Sequence, residues 1–338
     1  MSGGPTVMIA GAGVLGLATA LALADAGCAV TVYDPGGLNA SRVAAGMIAP
    51  VFEAVLDPGA RAHFDLLLAA RDLWPALALR AGIELDRCGT VAVGEDSWLD
   101  GVVRGFGALG VTPTGISGQT AMALSPGLSM DGRRAVMTRD DWHLDAPSSL
   151  GALRDAASAA GVTFERGRVR DDHKADLLVV ATGADPILVA PEQARLTPIK
   201  GQIVRVTVPT IGAVVRGVGV YVTPGGATVF GATMEPGRSD ATVEAAQVQP
   251  LLEAGLRLFP GLAGSPVEIA AGVRAATPDG LPMVGFSARR GVFLAVGARR
   301  NGWLLAPLVA QIIAAYVTGR DPGPYAARLD PARFTEGS

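Results

Sequence analysis

The stretch TVMIAGAGVLGLATALALADAGCAVTVYD, residues Thr6–Asp34, decides the fold of this chain. TVMIA predicts a short buried strand, VLGLATALALADAG predicts a helix that Gly27 closes, and CAVTVYD predicts a second buried strand that ends at Asp34. A strand, a helix and a strand in this order form a βαβ unit, in which the two strands lie parallel. We therefore expect a parallel sheet built around this stretch.

Within this unit, GAGVLG at Gly11–Gly16 matches the G-x-G-x-x-G pattern, directly after a strand and at the start of a helix. Asp34 follows 18 residues after Gly16. Glycines permit a tight turn and close approach of the backbone to a pyrophosphate, the helix N-terminus favours the anion, and the acid can bind ribose hydroxyls. The sequence therefore predicts a dinucleotide site, although the βαβ unit does not separate NAD from FAD.

Three later segments suit the same site. SRVAAGMIAP, Ser41–Pro50, is small, apolar and glycine-bearing, and would fit against a flat ring and a diphosphate, although an ordinary buried loop has the same composition. DLLVVATGAD (Asp176–Asp185) and GVFLAVGA (Gly291–Ala298) are continuous apolar runs, as expected for parallel strands covered on both faces. An extended cofactor across the sheet edge would touch several of these strand ends.

Composition narrows the class of protein. The chain has 338 residues, 49% of them hydrophobic, and a net charge of −3. This indicates a globular protein of two domains, or of one domain with a sizeable insertion, without a basic surface for nucleic acid. Cys28 and Cys88 are far apart and the three histidines lack metal-ligand spacing, so we expect no disulfide, no metal site and a cytoplasmic location. The apolar start mimics a signal peptide or membrane helix, but glycines punctuate it and no basic segment precedes it, so we expect no integral membrane segment.

The pattern changes between the parallel strands. GTVAVGED, GQIVRVTVP and VGVYVTPGGATVFGATM predict strands, with a hairpin turn at Pro224–Gly226, and VEIAAGVRAATPDGLPMVG predicts another strand. TVEAAQVQPLLEAGLRLF predicts a helix that Pro250 interrupts. The predicted fold class is therefore α/β: a Rossmann-like nucleotide-binding domain with a parallel sheet, interrupted twice by a mostly antiparallel domain of α+β character.

The stretch GARRNGWLLAP, Gly297–Pro307, leads into the last long apolar helix. Because proline does not easily sit deep inside a helix, we expect the regular helix to begin near Leu305, with Gly302–Leu304 as an opening turn that has free amide groups. Cations beside a helix N-terminus are mildly unfavourable, so the two arginines of this stretch either point into solvent or meet an anion.

Together these segments resemble the D-amino acid oxidase-like flavoproteins, most closely the glycine oxidases. The resemblance covers nearly the whole chain. It is carried, in the family's order and spacing, by GAGVLGLATALALADAGCAVTVYD, SRVAAGMIAP, LLVVATGA, YVTPGGATVFGATMEPG, AGVRAATPDGLPMVG and GARRNGWLLAP. It implies an FAD-binding domain of residues 1–88, 146–195 and 286–338, and a substrate-binding domain of residues 89–145 and 196–285.

The resemblance implies that FAD is bound non-covalently. The glycine loop would hold the diphosphate, Asp34 the adenosine ribose in place of the commoner glutamate, and Val169 the adenine through its backbone, while the GARRNGWLLAP stretch would approach the isoalloxazine ring. The implied cofactor residues are Gly11, Ala12, Gly13, Val14, Leu15, Gly16, Asp34, Ser41, Arg42, Ala45, Gly46, Met47, Val169, Ala181, Thr182, Gly183, Gly297, Arg300, Asn301, Gly302, Trp303 and Leu304.

The resemblance also implies a substrate site. Arg274 would bind the substrate carboxylate through both nitrogens of its fork, and Tyr221 would hydrogen-bond the same carboxylate. Arg300 would lie at the corner between flavin and substrate, and Met47 and Met234 would border a small pocket. A solvated strand residue is the alternative for the arginine, but its neighbours are apolar and an unpaired charge there is costly. The tyrosine and the second methionine could equally serve packing.

The chain departs from the family pattern at two places. Ala298 stands where glycine oxidases commonly have histidine, and Ala275 stands where they have proline after the arginine. These departures leave the preferred substrate and the electron acceptor open. Arg299 has no matching role in the family, so we expect its side chain in solvent.

The implied reaction is the oxidative deamination of glycine or of small D- or N-methyl amino acids. A hydride would pass from the substrate Cα to flavin N5, the imine would hydrolyse to an oxo acid and ammonia, and oxygen would reoxidise the flavin to give hydrogen peroxide. The product could feed thiamine synthesis, and an oligomer of identical chains is left open. The alternatives are a dehydrogenase of D-amino acids, proline or 2-hydroxy acids with another acceptor, a flavin-binding protein without turnover, and an NAD-linked dehydrogenase.

Overall fold

The computed structural model describes residues 4–170, 172–185, 187 and 189–334. The strands are β1 Thr6–Ala10, β2 Ala29–Asp34, β3 Met47–Ile48, β4 Thr90–Gly94, β5 Thr114–Ile116, β6 Arg134–Thr138, β7 Trp142–His143, β8 Thr163–Arg166, β9 Leu177–Val180, β10 Thr197–Val206, β11 Val214–Gly217, β12 Val220–Thr223, β13 Thr228–Gly231, β14 Glu235–Pro236, β15 Val267–Ala276, β16 Met283–Phe286 and β17 Val292–Val296. The helices are α1 Val14–Asp25, α2 Ala40–Val43, α3 Pro50–Leu56, α4 Pro58–Arg61, α5 Phe64–Asp72, α6 Trp74–Ala81, α7 Asp96–Ala108, α8 Gly118–Leu124, α9 Ala146–Ala159, α10 Ala245–Leu258, α11 Gly302–Val317 and α12 Ala326–Leu329. Short 3₁₀ turns lie at Pro191–Arg195, Pro260–Leu262 and Pro331–Phe334.

The first sheet has six strands in the order β16-β17-β9-β1-β2-β8. All neighbouring strands run parallel except the edge strand β16, which is antiparallel to β17. The predicted βαβ unit and the two later parallel strands are thereby confirmed. Helix α1 is apolar on nearly every side because it packs between the sheet and helices α9 and α11.

The second sheet has nine strands, in the order β14-β10-β13-β12-β11-β4-β6-β5, with β15 paired to β10. Its pairs are antiparallel except β11 with β4, and the predicted hairpin joins β12 to β13. One face is covered by α10, which approaches so closely that a Cβ at Gly255 would lie 2.3 Å from the ring of Phe230. The other face looks toward the first sheet and carries the site described below.

Two predictions about helix breaks are wrong. Helix α10 continues through Pro250. A proline at this position cannot donate to the carbonyl of Ala246, but both residues lie at the surface, so water can solvate that carbonyl. Helix α11 begins at Gly302 rather than near Leu305, with Pro307 inside it. The carbonyl of Trp303, which a residue at 307 would normally bond, instead accepts a hydrogen bond of 3.0 Å from the indole Nε1 of Trp74.

The two sheets draw on alternating parts of the chain. The six-stranded sheet uses strands between residues 6 and 34, 163 and 180, and 283 and 296, and the nine-stranded sheet uses the intervening stretches 90–138 and 197–276. The boundary assigned between 285 and 286 falls inside β16, a strand of the six-stranded sheet. The domain ranges stay a prediction. Among the described residues, no helix has both the length and the apolar character needed to cross a membrane.

Candidate active site

The glycine loop between β1 and α1 is a turn that side chains would not fit. Gly11 has φ +108°, and a Cβ there would lie 2.5 Å from the carbonyl oxygen of Ala181 at the end of β9. A Cβ at Gly16 would lie 2.0 Å from the carbonyl oxygen of Gly11. The glycines therefore let the helix N-terminus and the two strand ends approach within backbone contact.

Two side chains fix the loop. One carboxylate oxygen of Asp34 accepts from the backbone N–H of Ala12 at 2.7 Å, and the other accepts from the N–H of Gly36 at 2.7 Å. The hydroxyl of Ser41 accepts from the N–H of Val14 at 3.0 Å, at the first turn of α1. Asp34, at the end of β2, is thus hydrogen-bonded to the glycine loop between β1 and α1.

A groove of about 410 Å³ runs from this loop across the ends of the parallel strands. Its lining brings together fourteen of the predicted cofactor residues: Gly11, Gly13, Val14, Leu15, Asp34, Ser41, Val169, Ala181, Thr182, Gly183, Gly297, Arg300, Gly302 and Trp303. Four others line the neighbouring cavity instead, namely Ala45, Gly46, Met47 and Asn301. The remaining four, Ala12, Gly16, Arg42 and Leu304, line neither; the first two shape the loop and Leu304 is buried in the core.

The neighbouring cavity has a volume of about 310 Å³ and lies between α3 and the open face of the second sheet. Arg274 on β15 and Tyr221 on β12 both line it. A Cβ at Gly201 would lie 2.1 Å from a guanidinium nitrogen of Arg274, and a Cβ at Gly231 would lie 1.8 Å from the Tyr221 ring. Two glycines on β10 and β13 thus let these side chains lie flat across the sheet and converge over its centre.

Arg274 has a buried nitrogen for which the described residues offer no partner. Its Nη1 atom is inaccessible to solvent and makes no hydrogen bond to any described residue. Burial lowers the pKa of this guanidinium, and the nearby Arg300 lowers it further. Burial also raises the pKa of the Tyr221 hydroxyl, although the charge of Arg274 opposes this shift. A carboxylate is the group that would satisfy both side chains.

The two methionines take different places in this cavity. Met47 lies on β3, half-buried beside the alanines and the glycine that precede it. Met234 follows β13 and is 41% exposed, so it stands at the cavity mouth. Both border the cavity, as the resemblance implies.

The prediction that Arg299 lies in solvent is wrong. Its Nη1 atom bonds the carboxylate of Asp57 at 2.6 Å, and Arg300 pairs with the same carboxylate at 3.0 Å and with Glu53. Glu53 on α3 and Asp57, the residue that follows this helix, both lie beside the start of α11, and Asn301 also donates to Glu53 at 3.1 Å. Burial would raise the pKa of Asp57, but the hydrogen bond and charges of the two arginines hold it below its usual value. The anion that these cations meet therefore belongs to the protein.

The sequence analysis missed the acid that positions α3. Asp141 is fully buried and accepts hydrogen bonds from the backbone N–H groups of Val51 at 2.8 Å and Phe52 at 3.0 Å. It therefore caps the helix N-terminus from a distant part of the chain. Burial raises the pKa of this carboxyl to about 7, despite the two hydrogen bonds.

Arg216 on β11 was also missed. It lines the same cavity as Arg274, and its guanidinium carbon lies 5.7 Å from the centre of the Phe52 ring and 5.4 Å from that of Tyr221. The signal was present in the sequence, because AVVRGVGVYV places a single charge among apolar residues, as in the segment that contains Arg274.

The wall between the groove and the cavity is thin. Six residues line both spaces, namely Ala40, Ala44, Gly272, Arg274, Arg300 and Trp303. Three of them, the two alanines and the glycine, have a methyl group or no side chain. A Cβ at Gly272 would lie 3.2 Å from the Cα of Ala40 and 3.3 Å from the Cβ of Val43. The two spaces are therefore adjacent along this wall. Among the described residues, no cluster of histidine, cysteine, aspartate and glutamate could hold a metal ion.

Comparison with known proteins gives the family of this chain. The sequence pattern of the family described as FAD dependent oxidoreductase (DAO) matches residues 6–316. The chain belongs to this family. Glycine oxidase from Geobacillus kaustophilus is 30% identical over 364 residues, covering 93% of each chain. A crystal structure of glycine oxidase from that organism superimposes with a TM-score of 0.79 at 28% identity, covering 97% of this chain and 99% of the other.

Two further relatives of this flavoprotein are similar over nearly its whole length. A putative thiamine biosynthesis oxidoreductase ThiO from Rhizobium etli is 31% identical over 324 residues, covering 91% of this chain and 95% of the relative. The bifunctional protein ThiO/ThiG of Trichormus variabilis is 30% identical over 364 residues, covering 97% of this chain. The chain spans only 55% of the length of that bifunctional relative.

The residues of the groove fit FAD. The glycine loop leaves a cradle that a Cβ would fill, and the groove continues from Asp34 past Val169 to the start of α11. The loop would hold the diphosphate, and the N-terminus of α11 would offer free amide groups to the ring. The family decides for FAD over NAD, which the βαβ unit alone left open.

Proposed function

We propose that this chain is an FAD-dependent oxidase of glycine and other small amino acids, acting by oxidative deamination. The observation that carries the proposal is Arg274, whose buried Nη1 bonds no described residue, beside Tyr221 in a cavity that shares a wall with the FAD groove. A guanidinium and a hydroxyl that line one cavity are suited to a carboxylate. The similarity to glycine oxidase supports the amino acid as the substrate class.

The side chains of this site bind and orient. Arg274 and Tyr221 hold the carboxylate, which points the substrate Cα toward the shared wall. The groove residues would hold FAD, which would supply the acceptor for the hydride from the substrate Cα. Glu53 is the one carboxylate among the described residues that line the cavity, and it is engaged by Arg300 and Asn301. No side chain is therefore placed as a base, which suits a substrate whose amine arrives neutral.

The products would be an oxo acid, ammonia and, with oxygen as the acceptor, hydrogen peroxide. The similarity to a putative thiamine biosynthesis oxidoreductase supports a role for the imine product in thiamine synthesis. The two free cysteines, one buried and one exposed, support a location in the reducing cytoplasm.

Anaerobic flavin reduction tests the proposal. Purified holoenzyme is mixed with glycine, sarcosine, small D-amino acids, proline and 2-hydroxy acids, and loss of the oxidised flavin absorbance is followed. Oxygen is then admitted and peroxide is measured. We expect bleaching by amino acids and peroxide after oxygen. Bleaching without peroxide would replace the oxidase by a dehydrogenase, and bleaching by hydroxy acids alone would exclude an amino acid substrate.

The variant Arg274→Ala separates catalysis from a purely structural flavin. We expect this variant to keep its FAD and to lose bleaching at substrate concentrations that reduce the wild-type protein. Equal bleaching by both proteins would show that Arg274 does not bind the substrate, and the site would then need another assignment.

A further inference from the structure

Arg216 stands on the same face of the second sheet as the substrate-binding pair. In the sheet register Arg216 lies opposite Tyr221, Tyr221 opposite Gly231, and Gly231 opposite Ile203. Residues in one such row point to the same face. Arg274 lies on that face as well, where its side chain passes over Gly201. The sheet therefore presents two arginines to one cavity, on either side of Tyr221.

Arg216 has a buried nitrogen that no described residue satisfies. Its Nε atom is inaccessible to solvent and bonds no described residue. Two aromatic rings flank it, and ring faces attract a cation, but they leave its N–H groups unsatisfied. Buried N–H groups of a charged side chain are costly unless an acceptor reaches them.

No acid among the described residues forms a close ion pair with Arg216. Asp141 attracts it, but both oxygens of that acid accept from the backbone of α3, and no ion pair within 4.0 Å joins the two in the described part of the chain. Glu53 is bonded by Arg300. An amino acid with one carboxylate would satisfy Arg274 and leave Arg216 without a hydrogen-bonded acid, although Asp141 and Glu53 attract it from a distance.

We propose that Arg216 binds a second acidic group of the substrate, so that this oxidase prefers amino acids with two carboxylates. The second carboxylate could belong to the side chain, as in D-aspartate and D-glutamate, or to a substituent on nitrogen, as in iminodiacetate. The inference rests on the proposed function, because Arg274 has to hold the first carboxylate. A volume of about 310 Å³ admits molecules of this size.

Specificity measurements on the holoenzyme test the inference. For the wild-type protein we expect kcat/KM for the best dicarboxylic amino acid to exceed that for glycine, sarcosine or D-alanine by at least about tenfold. In Arg216→Met, which keeps the length but not the charge, the ratio of dicarboxylic to monocarboxylic kcat/KM should fall about 10- to 100-fold, the size of one charged hydrogen-bonding group. Arg216→Lys, which keeps a cation, should retain part of the preference.

Binding without turnover provides a second readout. Malonate and succinate should perturb the flavin absorbance of the wild-type holoenzyme at lower concentrations than acetate, and Arg216→Met should abolish this difference. Comparison of D-aspartate, D-glutamate and iminodiacetate then distinguishes a side-chain acid from a nitrogen substituent.

The possible failures are distinguishable. If monocarboxylic amino acids reduce the flavin as well as or better than dicarboxylic ones, or if Arg216→Met leaves the ratio unchanged, the inference is wrong while the proposed function stands. If no amino acid of either class reduces the flavin, the proposed function itself fails.

Discussion

Replacement of Arg274 by methionine should make the protein more stable and the enzyme far less active. Arg274 carries a buried charge, and its Nη1 atom bonds no described residue. Methionine has a similar length and fits the same channel over Gly201 without a charge or an N–H group. The free energy of unfolding of the substrate-free protein should therefore rise, because the unsatisfied donor is removed.

The variant Arg274→Met should gain stability and lose activity, and the size of each change can be stated. A buried donor without a partner costs about 1–3 kcal/mol, so removing one should stabilise the fold by a similar amount. At roughly 2 cal/mol/K of unfolding entropy per residue, that raises the Tm of a chain of this size by about 1.5–4 °C. Truncating one member of a buried charge pair costs about 2–5 kcal/mol, which lowers kcat/KM by roughly 30-fold to several thousand-fold.

The assay compares thermal unfolding of the substrate-free holoenzyme with steady-state kinetics on the best amino acid. Arg205→Met is the matched control, because Arg205 lies on the same sheet face but donates to the carbonyl oxygens of Arg42, Val43 and Ala44 at 3.2, 3.0 and 3.3 Å. That variant leaves three acceptors without their donor, so its Tm should fall.

The reasoning fails if the Tm of Arg274→Met falls as far as that of the control. Such a result would mean that this guanidinium is satisfied in the folded protein, and that the cavity was not built to receive a carboxylate. A Tm increase with unchanged kcat/KM would refute the substrate role alone.

Other perturbations test the loop, the sheet face and the cap of α3. Gly16→Ala should abolish FAD retention, measured as the flavin-to-protein absorbance ratio, since its Cβ would lie 2.0 Å from a loop carbonyl. Gly107→Ala in α7, whose Cβ would meet nothing within 4 Å, should retain the flavin, and equal ratios would contradict this account. Gly231→Ala should displace the ring of Tyr221 while FAD stays bound. KM for the amino acid should rise at least about tenfold, the effect of one lost charged hydrogen bond. An unchanged KM would show that the Tyr221 hydroxyl does not touch the substrate. Between pH 4 and 7 the native state binds more protons at Asp141 than the unfolded chain, because burial raises its pKa to about 7, so the free energy of unfolding should fall as pH rises through this window. Asp141→Asn keeps one of the two oxygens that accept from the backbone of α3 but cannot titrate, so it should lose this pH dependence, and parallel pH profiles for the two proteins would count against the assignment.

Local pattern was sufficient to predict the nucleotide-binding sheet. The alternation of a buried strand, a glycine turn and an apolar helix over Thr6–Asp34 depends on residues that are neighbours in the chain, so it can be read without tertiary knowledge. The same holds for the hairpin at Pro224–Gly226, where turn chemistry and flanking strands coincide. The residues that resemble the family likewise gather around two adjacent spaces.

Predictions failed where a distant residue decided the local structure. Pro307 is tolerated in α11 because the indole of Trp74 occupies the carbonyl that the proline leaves free, and no local rule contains that partner. Arg299 pairs with Asp57, an acid far away in sequence, so its surroundings could not be predicted from the basic stretch alone.

Arg216 is a different kind of omission. An isolated charge among apolar residues needs a partner, and this holds for Arg216 in AVVRGVGVYV as it does for Arg274. The resemblance assigned no role to this position, and without the sheet register nothing placed it beside Tyr221. The sequence therefore indicated that Arg216 needs a partner, although the family pattern gives it no role.

The thin wall between the two spaces limits how this enzyme can diversify. In the proposed reaction the hydride donor and acceptor approach to about 3–3.5 Å, and a methyl group added at Gly272 or Ala44 would thicken the wall between groove and cavity. Mutational libraries aimed at this side should yield inactive proteins whatever substrate is offered. New substrate preferences should arise from the opposite side, around Arg216, Trp98 and Met234, where side chains border the cavity without standing between the reactants.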